Sequence, residues 1–129
     1  MHRVDNTKLI AEARGKVGEF RLSKEWLTAG SVACALVTEA GNLYTGICLD
    51  LACGIGFCAE HSAIAAMLNS RETVITKIVA VTADKILPPC GRCRELMVQV
   101  DIRNLDCEVI LPDGEVRTLR ELLPHIWIK

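Results

Sequence analysis

Cys58-Ala59-Glu60 and, about thirty residues later, Pro89-Cys90-Gly91-Arg92-Cys93 are the part of this chain best suited to chemistry. Three thiolates can hold one Zn²⁺ and leave a fourth tetrahedral position open, and an open position separates a catalytic zinc from a structural one. Glu60, two residues past Cys58, adds a carboxylate that can take a proton from a metal-activated water and pass it to a leaving nitrogen. An acid at a helix start is common for dipole reasons alone. Set between metal ligands, it has a further use.

Two other readings compete for the same cysteines. Cys53 could join Cys58, Cys90 and Cys93 in a closed, structural four-cysteine zinc site. That reading leaves Glu60 without a role. A redox pair at Cys90 and Cys93 leaves both Cys58 and Glu60 unexplained.

The ligands need elements to hold them. Residues 57–69 read as a helix apolar on most sides, hence buried, with Cys58 at its start. Residues 90–100 read as a second helix with Cys90 and Cys93 in its first turn, on one face. Helix N-termini favour thiolate over thiol. His61, Arg92 and Arg94 stand beside the ligands and are candidates to hydrogen-bond their sulfurs. Around these helices, 31–38 and 43–49 form a hairpin, and 73–82 carries the β-branched run of a central strand. Residues 107–111 and 115–118 flank the turn Pro112-Asp113-Gly114. An amphipathic helix over 7–17, capped by Asn6, precedes these elements, and a short helix over 119–123 follows them. Residues 18–30 and 83–89 carry no regular pattern. This order implies one α/β domain over residues 1–129, with a mixed sheet covered by helices on both faces.

Composition narrows the function. With 50% apolar and 24% charged residues, the chain is that of an ordinary soluble globular domain. No run approaches the roughly eighteen apolar residues of a membrane span, and Met1 to Asn6 lacks an apolar signal core. The expected compartment is the cytoplasm, where seven cysteines stay reduced. Of these, Cys34 and Cys107 lie in apolar runs and read as core residues. A net charge of −1 argues against a nucleic-acid polymer as partner and for a small substrate.

The two cysteine motifs, with Arg120-Glu121-Leu122-Leu123-Pro124, resemble those of the small cytidine deaminases and blasticidin-S deaminase. Arg92, between the paired cysteines, is similar to blasticidin-S deaminase, whereas cytidine deaminases usually carry alanine there. The resemblance extends from about Leu9 onward. It implies a three-layer α/β/α fold with a mixed five-stranded sheet, and Zn²⁺ held by Cys58, Cys90 and Cys93. It further implies hydrolytic release of ammonia from a cytosine-type ring, with Glu60 as acid/base and the backbone around Ala59 at the pyrimidine edge. A homotetramer is also implied, in which Trp127 is a candidate contact to a neighbour's substrate; its alternative is packing on its own core.

Where the resemblance places an Asn and a Glu that read ribose, this chain carries Cys48 and Asp50. Cysteine lacks the amide's paired donor and acceptor, while Asp50 can still accept from a hydroxyl. Cys48 as strand core and Asp50 as a loop cap are the alternatives. The usual aromatic of the first strand is missing between Ser31 and Leu36, His61 replaces a common Arg, and Glu95 stands where Gln is usual. The expected substrates are cytidine, deoxycytidine or blasticidin S. The alternatives are another amino-substituted heterocycle, or a non-enzymatic protein with the four-cysteine zinc.

Overall fold

The protein is described by a computed structural model covering residues 4–129. Met1, His2 and Arg3, part of the N-terminal stretch read above for a signal core, lie outside the described residues. The first helix, α1, is Asn6–Arg14. Its cap is Asp5, not Asn6: the Asp5 carboxylate accepts from the Lys8 N–H at 2.8 Å. Asn6 is already inside the helix and its side-chain oxygen accepts from Lys77 Nζ at 2.9 Å. The helix stops at Gly15, short of Val17, which still packs beneath it.

Next come β1 (Phe20–Arg21), β2 (Thr28–Thr38) and β3 (Leu43–Asp50), then α2 (Ala59–Asn69), β4 (Ile75–Val81) and β5 (Ile86–Leu87). The chain closes with α3 (Gly91–Val100), a 3₁₀ turn at Ile102–Asp106, β6 (Glu108–Ile110), β7 (Val116–Thr118) and α4 (Leu119–Leu122). The sheet has seven strands, where five were expected. The expected five form the body, in the order β3-β2-β4-β6-β7, and only β4 and β6 run parallel. The additional two are two-residue ribbons, β1 on β2 and β5 on β4. A two-residue strand has no room for an alternation of apolar and polar residues, so its pairing is absent from the sequence pattern.

Alternation along β2 and β4 builds two cores. Ala35, Val37, Val79 and Val81 face α1 with Leu9 and Ala13. Cys34, Leu36 and Ile78 face the other side, with Ala63, Ile64 and Met67 of α2 and Met97 and Val98 of α3. The layers are therefore helix, sheet, helix, and Cys34 and Cys107 are buried within them as expected.

Two close approaches set where α2 lies. A Cβ at Gly46 of β3 would collide with the backbone nitrogen of Ala63, so only glycine lets this helix lie so near the sheet. A Cβ at Gly56 would likewise strike the Leu49 carbonyl, where Leu49 and Phe57 exchange backbone hydrogen bonds at 2.9 and 3.1 Å. That bridge ties the residue before Cys58 to the end of β3.

Buried Asn104 holds the crossover from α3 to β6. It accepts from the Ile75 N–H at 2.7 Å and donates to the Met97 and Thr73 carbonyls at 2.9 and 3.1 Å. Beside it, Asp101 caps the 3₁₀ turn and accepts from Arg103 and from the Thr73 hydroxyl. Hydrogen bonds from Arg103 hold the Asp101 carboxyl down to about 2, below its ordinary 3.8. Its contribution is thus fully present above about pH 4 and is lost as the pH falls toward 2. The urea stabilities of the unmutated protein and Asp101→Asn should differ by a constant amount above pH 4 and converge between about pH 4 and 2. A gap that persists unchanged to pH 2 would refute this account.

Candidate metal centre and cavity

Cys58 and Cys90 are the N-caps of α2 and α3, and neither thiol makes a capping bond to its own helix. Both sulfurs are thereby left to other partners, with helix N–H groups aimed at them. Cys93 follows one turn into α3 and is buried. The Cys58 and Cys90 sulfurs stand 3.5 Å apart, those of Cys90 and Cys93 3.4 Å, and all three lie within 4.8 Å of one another. Thiolates on a tetrahedral zinc, each at about 2.3 Å, would stand roughly 3.8 Å apart, so the cluster fits one ion.

Electrostatics points the same way. Burial, and after it the Glu60 charge, pushes the Cys93 thiol far up; burial raises Cys58 as well. Burial also acts against ionisation of Cys90, but hydrogen bonds from Cys93 outweigh it and bring that thiol below its ordinary value. Three thiolates beside a buried carboxylate would repel one another strongly. A divalent cation at their centre reverses the balance and deprotonates its ligands. The chemistry of the donor set therefore fits Zn²⁺.

Cys53 does not belong to this group. It sits exposed at a positive φ of 61° in the turn before Phe57, and its sulfur is not among the clustered atoms. The closed four-cysteine arrangement is thus not formed among the described residues. The expectation for the neighbouring cations needs correction too. No side chain of His61, Arg92 or Arg94 hydrogen-bonds one of the clustered sulfurs; Arg92 acts on Cys90 through its backbone N–H. Arg94 donates instead to the carbonyls of Pro89 and Leu122, both at 2.9 Å, and so ties the C-terminal Arg120–Pro124 segment to the second cysteine motif. The His61 ring stacks on Phe57, its Nε2 buried without a partner; burial, then the nearby Arg92 charge, keeps the imidazole's pKa low.

Cys58 and Cys90 open onto a cavity of about 480 Å³ at the end of the sheet where β3 and β4 finish, with Cys93 buried behind them. Glu60, in the first turn of α2, is 5% exposed and lines it beside Cys58, Ala59 and Cys90. Burial raises the Glu60 carboxyl above its ordinary value, and hydrogen bonds to it only partly offset this. Cys48 and Asp50 of β3 line the same cavity. Cys48 is also part of the core, 6% exposed, and its sulfur accepts the Val32 N–H at 3.3 Å. Asp50 is exposed and caps nothing; its Oδ2 lies 3.4 Å from the Ser31 hydroxyl. Glu95 is turned to Gln99 on the helix surface.

Trp127 is 78% exposed and does not line the cavity of its own chain. Packing on its own core is therefore excluded. Sequence reasoning did not pick out Ser31, Val32, Phe57, Leu87 and Pro88 as lining residues. Phe57, next to Cys58, was within reach of motif reading. Ser31 and Leu87 arrive only through strand pairing.

A mixed sheet with helices on both faces, and two helix N-termini that gather three cysteines beside a cavity, define an α/β protein with a candidate zinc centre. A profile of the cytidine and deoxycytidylate deaminase zinc-binding region matches residues 18–109. A cytidine deaminase of Halalkalibacterium halodurans is 31% identical over 99 residues, covering 72% of this chain and 74% of that one. The crystal structure of cytidine deaminase from Mycobacterium leprae superposes with a TM-score of 0.77 at 26% identity, over 92% of this chain and 97% of that one. Its counterpart from Burkholderia pseudomallei gives 0.75 at 26%, over 95% and 99%. A mutant Mycobacterium tuberculosis cytidine deaminase, at 23% identity, shares the fold with a TM-score of 0.82 over 98% of this chain and 97% of that one. The chain belongs to the cytidine and deoxycytidylate deaminase family and is a zinc-binding deaminase. Among the described residues, no helix is long and apolar enough to cross a membrane.

Zinc should remain near one per chain in Cys53→Ser and be lost in Cys90→Ser, as read by metal analysis after dialysis against a chelator. Equal loss from both would restore Cys53 as a ligand.

Proposed function

We propose that this protein deaminates the cytosine-type ring of a small nucleoside, with Cys58, Cys90 and Cys93 holding the zinc and Glu60 carrying the protons. The observation that supports it best is the position of Glu60: buried, lining the cavity, and next to the sulfur cluster without an ion-pair partner among the described residues. Zinc, when bound, supplies the Lewis acidity that makes water a nucleophile at neutral pH. The other parts belong to the chain. Burial raises the affinity of Glu60 for a proton, so the carboxylate can take one proton from the attacking water and give it to the ring nitrogen, then carry a second, from the hydroxyl added to the ring, to the departing ammonia. The backbone at Ala59, fully buried and lining the cavity, is suited to meet the edge of a flat ring. Val32, Phe57 and Leu87 supply apolar wall against which a flat ring can pack.

Candidate substrates are cytidine, deoxycytidine and blasticidin S, with Cys48 and Asp50 contacting the part beyond the ring. The resemblance of Arg92 to blasticidin-S deaminase supports including the antibiotic, and the cytidine deaminase relatives support the nucleosides. The chain is taken to work in the cytoplasm as a homotetramer in which Trp127 reaches a neighbour's cavity. Support for this comes from the side chain's exposure and from other large apolar residues left open at Trp26, Ile55 and Ile102.

Ammonia release by the zinc-loaded protein should be seen with at least one of cytidine, deoxycytidine and blasticidin S, and not with free cytosine. Glu60→Ala should lower turnover at least about 10²- to 10⁴-fold while zinc content and folding stay intact; retained turnover would remove Glu60 from the mechanism. Sedimentation should give four chains per particle, and a monomer with full activity would remove Trp127 from the substrate site.

A further inference from the structure

All the cysteines of the chain are free thiols, but their settings differ. Cys34, Cys48 and Cys107 are buried, and Cys53 is exposed with its sulfur outside the cluster. Cys90 belongs to neither kind. It is exposed, it lines the cavity, and it has Cys93 at 3.4 Å and Cys58 at 3.5 Å. A small oxidant entering the cavity meets this sulfur with a second one already in place.

The backbone decides which neighbour pairs with it. Cys90 is the N-cap of α3, extended at φ −70° and ψ 169°, and Cys93 lies one turn further along the same helix. Two cysteines three residues apart at a helix start are the arrangement of dithiol redox motifs. Closing the 3.4 Å gap to a bond of about 2.0 Å needs only side-chain rotation within one turn. Cys58 starts a different helix, which Gly46 seats on β3 and the Leu49–Phe57 bridge anchors. Bonding it to Cys90 would draw two packed helix starts together. Cys93 is buried and does not line the cavity, so it is the resolving sulfur and not the first one struck. Bound to a cation, both sulfurs are thiolates, the nucleophilic form.

We propose that Cys90 is a site of oxidation by hydrogen peroxide, resolved by Cys93 as a disulfide that discharges the metal. The Cys90 thiolate attacks one peroxide oxygen and the O–O bond breaks. Its sulfur keeps that oxygen as a sulfenic acid, while the other leaves as hydroxide and is protonated to water. The Cys93 thiolate then attacks the Cys90 sulfur. The S–O bond breaks, a second hydroxide leaves and is protonated, and the S–S bond forms. In sum, two thiolates give up two electrons, and one peroxide with two protons from solvent becomes two waters. Cys58 alone then remains for the ion, and one thiolate does not hold it. Thiol reductants reverse the bond by exchange and restore the three-sulfur site. A redox pair as the cysteines' whole use left Cys58 and Glu60 unexplained; as a second property of the metal centre it leaves neither idle. The proposal rests on the sulfur geometry and the zinc, whichever ring the protein deaminates.

The test titrates zinc-loaded protein, unmutated and Cys53→Ser, with hydrogen peroxide. Zinc release is followed with a chromogenic chelator, and the remaining thiols are alkylated before tryptic mass mapping. Trypsin cuts after Arg92, between the two cysteines, so a Cys90–Cys93 bond keeps the flanking fragments joined until reduction. Both proteins should release zinc in step with peroxide, losing two thiols per ion, with that linked pair dominant. Dithiothreitol plus zinc should restore the original metal content. The proposal is overturned if zinc stays bound after the peroxide is consumed, or if the bond formed involves Cys58 or Cys53. It is equally overturned if Cys90 goes to sulfinic acid without a partner, or if Cys53→Ser loses the response. Protein that takes up no zinc overturns both this proposal and the metal centre, whereas absent ammonia release leaves both standing and removes only the deaminase reading.

Discussion

Three sulfurs held close together beside a buried carboxylate are the constraint on which this molecule is built. Without a cation, burial makes Cys58, Cys93 and Glu60 resist ionisation, while hydrogen bonds favour it at Cys90 alone. The fold must hold them in place until a cation compensates. It does so with two helix N-termini, each starting on a cysteine that leaves its own helix uncapped. The unfilled caps are a local cost, about 1 kcal/mol for each missing capping bond. The metal is what repays it, since the same N–H groups that lack a cap stabilise thiolate charge.

The rest of the architecture serves to make those two helices start at one point. Gly46 lets α2 lie directly on β3, and the Leu49–Phe57 bridge anchors the residue before Cys58. On the α3 side, Arg94 ties the Pro89 loop to the C-terminal segment, while Asn104 and Asp101 fix the far end of the helix. Arg94 was read as a partner for sulfur. Its use as a strut shows that charge close to a metal in sequence can serve the scaffold.

The cavity that results is asymmetric. Helix N-termini, the zinc ligands and Arg92 lie on one part of its wall, and strand residues lie on the other. The helix side carries the cysteine cluster and Glu60, and the strand side carries Cys48 and Asp50, where this chain departs from the residues the resemblance leads one to expect.

Much of this was legible in the amino-acid sequence, because the informative signals are local. Ligand spacing, the apolar periodicity of α2, the β-branched run of β4 and the Pro112-Asp113-Gly114 turn each depend on neighbours a few residues away. They yielded the metal, the element order and the layered class. Tertiary structure alone decided the rest. Whether Cys53 is a fourth ligand depended on a left-handed turn that points its sulfur elsewhere. The two extra ribbons, β1 and β5, exist only because longer strands offer them a free edge. The state of the Cys48 sulfur was set by β2 and β3 pairing across a hairpin, which commits it to the backbone N–H of Val32, sixteen residues away. Spacing along a chain determines which atoms are available for chemistry; only packing decides which of them are already satisfied.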